Sequence, residues 1–280
     1  MSKQDLLYVS DDNGEVTVYR YWQHTLVGAL ASLTQPMGEC VDSASNVYIT
    51  DYPAKKIFEF AHGGTRPIKQ LDDSPDSPYA CSVDTITGNL AVANDDGASK
   101  QGNIAIWSKG SGTPKIYGDS KLYNFKACAY DSAGNLLTTN GGNYSPPASF
   151  AWLPKGGTQL SDIHVPGPNP SWTWGAVDGV EWDGKYFGIS FDYSLYRVIV
   201  THGQAYYVGM TSFTSSGIRG PFWFYNNKPG SQATELVGGF SGSGGSNVYY
   251  WSYPGGGSPL YTLTHGVYKP VGVAISLRTL

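Results

Sequence analysis

Four segments of the chain repeat one plan, and that plan constrains the fold more than any other feature. Residues 38–51 read GECVDSASNVYITD, residues 80–94 ACSVDTITGNLAVAN, residues 127–140 ACAYDSAGNLLTTN, and residues 179–192 GVEWDGKYFGISFD. Each runs from a small residue through a short apolar strand to an aspartate, turns, and continues into a second strand with a polar stop. The aspartates are Asp42, Asp84, Asp131 and Asp183, separated by 42, 47 and 52 residues. A period of this length built from strands denotes the blades of a β-propeller.

One unit reads through in full. Strands A to D are expected at 38–42, 46–50, 56–61 and 67–71. Between C and D lies FAHGGTRPI, and close relatives of it recur as SKGSGTPKI at 108–116, LPKGGTQL at 153–160 and YPGGGSPL at 253–260. These are read as C–D hairpins at the outer rim, where glycine supplies the positive φ that tight hairpin turns require. A fifth blade starts near residue 219 with a degenerate strand A, GPFWFY, followed by strands near 235–240 and 247–253. The sixth is split. The C-terminal GVAISL (272–277) supplies its strand A, and the N-terminal DLLYVSDD, GEVTVYRY and TLVGAL supply B, C and D. The expected fold is all-β: one six-bladed propeller of four-stranded antiparallel blades over residues 1–280, with no second domain. Pairing of the two termini closes the ring and protects open sheet edges.

Composition agrees with this plan. The chain has 36 Gly, 17 Pro, 21 Tyr and 8 Trp, and 14% charged residues, against roughly 25% in typical soluble domains. No long stretch places apolar residues at helical spacing, so little helix is expected. Net charge is −4 with scattered basic residues. There is no Lys/Arg patch to neutralise phosphates, and nucleic acid is not an expected partner. No apolar run approaches the ~18 residues of a membrane span. The start, MSKQDLLYVSDD, shows no apolar signal region before the first strand, which fits a cytoplasmic chain or one trimmed of its signal. A monomer is expected. The three cysteines, Cys40, Cys81 and Cys128, are an odd number without zinc spacing. They are read as small buried residues inside strands rather than as a disulfide framework.

The four aspartates fall at A–B turns, where a carboxylate accepts hydrogen bonds from turn amides. They lie in different blades and form no acid/base pair. The histidines do not converge either. His24, His62 and His202 fall at or beside C–D turns on the outer rim, and His164 and His265 near D strands of different blades. GFSGSGG (239–245) lacks the spacing of a nucleophile elbow.

The stretch PMGECVDSASNVYITD followed by KKIFEFAHGG resembles an NHL-type repeat. The six-blade count is shared with NHL propellers and with the lactonase-like gluconolactonase group. The phrases LLYVSD, GECVD, AHGGT, TGNLAVAN and YPGGGSP are similar to those of uncharacterised secreted bacterial propellers of NHL-like or YncE-like type. That resemblance implies an extracellular or cell-envelope location and no particular activity. In the lactonase-like group a Gly-Glu at the start of an inner strand supplies a metal ligand. Glu39 in MGECVD resembles it, and Asp178 in AVDGVEW resembles the group's Asp-Gly. Two such oxygen donors at a channel mouth would suit Ca²⁺. The group's asparagine ligands have no match, and Lys126 stands before Ala127. Glu181 is expected on the strand face opposite Val180, outside that site.

Aromatic residues crowd the loops of one face. D–A loops carry Tyr79, Tyr123, Trp172 and Trp174, and B–C loops carry Tyr52, Tyr144 and Tyr193. Such rings stack on sugars and anchor protein interfaces. The expected function is therefore non-enzymatic binding of a carbohydrate, a cell-envelope polymer or a protein. The alternative is a metal-dependent, lactonase-like hydrolase with Ca²⁺ in the central channel.

Overall fold

A computed structural model of the chain describes residues 4–31, 33–96, 101–118, 124–175, 177, 179–191, 193–214, 217–218, 220–242 and 245–278, without the residues 141–147 and 227–230. The split blade comes first and last. It contains β1 (Leu6–Asp11), β2 (Val16–Arg20) and β3 (Thr25–Leu30). Blade 1 is β4 (Pro36–Val41), β5 (Val47–Asp51), β6 (Lys56–Phe60) and β7 (Pro67–Asp72). Blade 2 is β8 (Pro78–Val83), β9 (Leu90–Asn94), β10 (Asn103–Trp107) and β11 (Lys115–Tyr117). Blade 3 is β12 (Phe125–Tyr130), β13 (Leu136–Asn140), β14 (Ser149–Leu153) and β15 (Ser161–Ile163). Blade 4 is β16 (Gly179–Trp182), β17 (Phe187–Phe191), β18 (Ser194–Thr201) and β19 (Gln204–Ser212). Blade 5 is β20 (Phe222–Tyr225), β21 (Glu235–Gly242), β22 (Gly245–Ser252) and β23 (Tyr261–Leu263). The last strand, β24 (Pro270–Ser276), returns to the split blade.

Every blade is a four-stranded antiparallel sheet. The order β24-β1-β2-β3 closes the ring, with Leu7 opposite Ile275 and Val9 opposite Val273. The inner strands β4, β8, β12, β16, β20 and β24 contact one another in sequence around the channel, and β24 returns to β4. The one helical element among the described residues is the single 3₁₀ turn Ser108–Gly110. The C–D turns show why glycine recurs in them. Gly63 and Gly156 have φ of 65° and 72°, and the Gly64 amide donates to the Ala61 carbonyl at 2.7 Å.

Among the described residues the core consists of six apolar clusters, one between each pair of neighbouring blades. Val9, Tyr21, Val237 and Ile275 join blades 5 and 6; Leu6, Val18, Ile49 and Phe60 join blades 6 and 1. Strand alternation sends one face of each sheet to one neighbour and the other face to the next, so nearly every central-strand residue is buried. Each fully buried Val, Leu, Ile or Phe contributes ~1.5–3 kcal/mol, so no single contact holds the ring.

The structure corrects the reading of the cysteines. Cys40 on β4 and Cys81 on β8 form a disulfide with Cα atoms 5.6 Å apart, and only Cys128 is free. The reason is the repeat itself. The two residues are 41 apart, one blade period, so they land on adjacent inner strands. Cys128 follows the original expectation: it is buried on β12 with its Sγ 3.9 Å from the Ala91 carbonyl oxygen.

Candidate functional site

The repeated aspartates organise the A–B end of the channel. Asp131 Oδ1 accepts from the amides of Ala133 and Asn135, both at 2.9 Å, and its Oδ2 from Asn135 Nδ2 at 2.8 Å. Asp42 makes the same three bonds with Ala44 and Asn46. Asp84 accepts from the Ile86 amide at 2.9 Å and from the Thr87 hydroxyl. Asp183 accepts from the Lys185 and Tyr186 amides and also from Tyr253 Oη, at 2.5 Å, and Gln232 Nε2. These carboxylates hold turns, in the role the repeat assigns them.

Two glutamates project from inner strands into the channel. Glu39, on β4, is 5% exposed. Its Oε1 accepts from the Ser10 hydroxyl of the split blade, and its Oε2 has no hydrogen-bond partner. Burial pushes its carboxyl up to about 8, with Asp11 adding to the effect. Glu181 lines the channel cavity with Glu39, Lys126 and Cys128. Burial pushes it, too, up to about 8, and its Oε1 accepts from the neighbouring Trp182 amide at 3.2 Å. The sequence reading set Glu181 on the strand face opposite Val180 and outside the metal site; in the structure it borders the channel cavity beside Glu39. Val180 also borders the cavity, but it packs into the apolar cluster between blades 3 and 4.

The calcium expectation rests on two residues. Asp178 lies outside the described residues. Around Glu39 the channel wall is formed by Gly38, Ala80, Lys126, Ala127 and Gly179. Calcium takes six to eight oxygens, and among the described residues no group of three His, Cys, Asp or Glu side chains is placed to hold a metal.

The aromatic residues fall into separate groups. Tyr52 and Tyr79 meet edge to face, 6.3 Å between centroids, at the junction of blades 1 and 2. Lys126 sits 5.7 Å over the Tyr79 ring and 3.6 Å from Asp95. Tyr193, at φ 63° in the turn between β17 and β18, is 41% exposed and faces Phe240 at 6.3 Å. Tyr123 and Tyr144 lie outside the described residues.

Trp172 and Trp174 come together with rings 5.8 Å apart, and both pack on Phe191 and Tyr196. They differ in role. Trp174 is buried and donates its Nε1–H to the Val165 carbonyl at 2.8 Å, so it supports the loop from within. Trp172 is partly exposed and borders an open groove of about 410 Å³ shared with Phe150, Asp162, Ile163 and His164. Alternation along β15 and beyond buries Ile163 and turns Asp162 and His164 outward. The sequence reading found Trp172 but not these polar neighbours, which precede the loop and carry no motif.

His62 was expected at or beside a C–D turn on the outer rim. It lies at that C–D turn and is 4% exposed, in contact with Ser276 and the Gln4 carbonyl.

No protein-family model matches the chain, and no curated protein matches it. Solved structures do. A chain in the crystal structure of a nidogen/laminin complex is similar with a TM-score of 0.72 and 15% identity, over 99% of this chain and 100% of that one. A protein of unknown function from Bacteroides caccae is similar with a TM-score of 0.68 and 11% identity, over 99% of this chain and 100% of that one. The β-propeller domain of Myceliophteria thermophila Cps50 (Swd1) is similar with a TM-score of 0.63 and 10% identity, over 95% of this chain and 84% of that one. At such identities the likeness concerns the fold. The chain is a six-bladed β-propeller. Among the described residues no helix is long and apolar enough to cross a membrane.

Proposed function

We propose that this chain is a non-enzymatic binding propeller whose ligand is a carbohydrate of the cell envelope or exterior, held in the groove beside Trp172. The observation that carries this reading is the make-up of the groove. A partly exposed indole forms an apolar wall, and the exposed Asp162 and His164 stand beside it. A sugar ring has one apolar face and a polar rim, and it matches that arrangement. The wall is rigid, because Trp172 packs on Trp174, Phe191 and Tyr196. The Cys40–Cys81 bond supports the location, since disulfides persist in oxidising compartments. A monomer is sufficient for this site. A protein ligand is the second reading: exposed aromatics also anchor protein interfaces, and one similar structure comes from a nidogen/laminin complex.

The test is titration calorimetry with cellohexaose and chitohexaose, on the wild type and on Trp172→Ala. The expected result is a saturable signal that Trp172→Ala weakens at least about tenfold, the effect of ~1.4 kcal/mol. No signal, or equal affinity in the variant, would overturn the reading. Turnover of small esters or lactones that Glu39→Gln abolishes would replace it with a hydrolase.

A further inference from the structure

The A–B end of the channel opens as a second cavity, of about 270 Å³, in a different part of the molecule from the Trp172 groove. Among the described residues its walls carry three carboxylates, Asp131, Asp183 and Glu181, and no Lys, Arg or His. Asp131 and Asp183 are saturated by turn amides and contribute field rather than contacts. Glu181 is different. Its Oε1 accepts from the Trp182 amide, and the carboxyl keeps acceptor capacity toward the cavity.

The remaining walls are aromatic. Trp182 and Trp223 are partly exposed there, beside Tyr130 and Phe224. Trp223, from blade 5, also reaches across the channel to the apolar cluster of blades 1 and 2, so its indole crosses the channel. Beyond Glu181 the channel narrows to a space of about 20 Å³ beside Glu39. Glu39 is 5% exposed and its Oε2 has no donor. The cavity thus offers an acceptor on Glu181, a carboxylate field, and aromatic faces, beside the hydroxyls of Ser82, Thr85 and Ser132; Lys126 lines the narrower space beyond it.

We infer that this cavity binds an alkylammonium group, in addition to the ligand of the Trp172 groove. A cation satisfies all three features at once. Its N–H groups bond Glu181, its charge meets the carboxylate field, and its methylenes and charge lie against the indole faces. The size agrees, since 270 Å³ falls below the roughly 300–1,000 Å³ of drug-sized sites. It suits one small amine or one inserted lysine side chain.

Two probes separate these sources: n-butylammonium, and the peptide acetyl-Gly-Lys-Gly-amide. Both are titrated at millimolar concentration into the whole chain at pH 8.5, against wild type, Glu181→Gln and Trp223→Leu. The expected result is binding that each variant weakens about tenfold or more. A peptide that binds more tightly than the free amine identifies a partner's lysine; the reverse order identifies a small-molecule amine. Glu181→Gln is isosteric, and Trp223→Leu tests the aromatic wall separately should either variant fold poorly. Both leave the Trp172 groove intact, so loss of amine binding is distinct from loss of sugar binding. No binding of either probe, unchanged affinity in Glu181→Gln, or stoichiometric displacement of the amine by Ca²⁺ would overturn the inference.

Discussion

His62 Nδ1 lies 2.7 Å from the Ser276 hydroxyl, joining a rim turn of blade 1 to the last strand of the chain. The same hydroxyl lies 2.7 Å from the Ser45 carbonyl, and His62 Nε2 meets the Gln4 carbonyl at 3.0 Å. One imidazole therefore ties both ends of the chain to the neighbouring blade. Replacing it with alanine leaves buried polar groups unmatched, at a cost of ~1–3 kcal/mol. His62→Ala is expected to lower the thermal midpoint and to speed amide exchange first in β1 and β24, as measured by hydrogen exchange. Uniform exchange across all six blades would contradict the latch.

His62 also gives a pH prediction. Burial holds its imidazole below the ordinary 6.5. The native state therefore binds fewer protons than the unfolded chain near pH 6. Its contribution is present above pH 6.5 and is lost as pH falls through the lower folded value. His62→Gln should flatten the acid side of the stability profile measured by denaturant titration.

The channel glutamates act with the opposite sign. Glu39 and Glu181 titrate near 8 in the fold against an ordinary 4.5, so the native state holds protons that the unfolded chain releases. Their contribution is complete below pH 4.5 and is lost as pH rises through 8, with a limit of ~1.4 kcal/mol per group per pH unit. The double variant Glu39→Gln/Glu181→Gln should gain stability over wild type between pH 6 and 9 and match it near pH 4.5. Parallel profiles would show that these carboxyls titrate normally.

The disulfide makes a chemical prediction. Alkylation of the unfolded, unreduced chain should label Cys128 alone, and reduction should expose all three cysteines, as read by mass spectrometry. Cys40→Ser is expected to cost ~2–4 kcal/mol of unfolding free energy.

Gly167 sets the position of the groove wall. A Cβ there would collide with the Trp172 indole. Gly167→Ala should displace that ring, costing ~1–3 kcal/mol of stability, and should weaken oligosaccharide binding without removing any groove side chain.

Much of the ring was legible in the sequence because the Asp-turn repeat carries its own register. The expected strands of blade 1 at 56–61 and 67–71 fall on β6 and β7, and GVAISL falls on β24. The same logic, taken one step further, would have paired Cys40 with Cys81. The odd cysteine count obscured it, since counting sees no positions. Glu181 was left out of the channel site because strand alternation assigns a residue its face but does not reveal that an inner strand borders the channel along its edge. Trp223 lay in GPFWFY, the most degenerate inner strand, where no repeat pointed to it. Trp172 was found from composition, but its partners Asp162 and His164 were not, because a groove is assembled from residues that only the fold brings together.

The central claim, a carbohydrate-binding propeller, is tested most directly by the affinity of wild type and Trp172→Ala for cellohexaose and chitohexaose. The account predicts saturable wild-type binding to at least one of them and an affinity at least about tenfold weaker in the variant. Equal affinities, or no binding to either sugar, would contradict it.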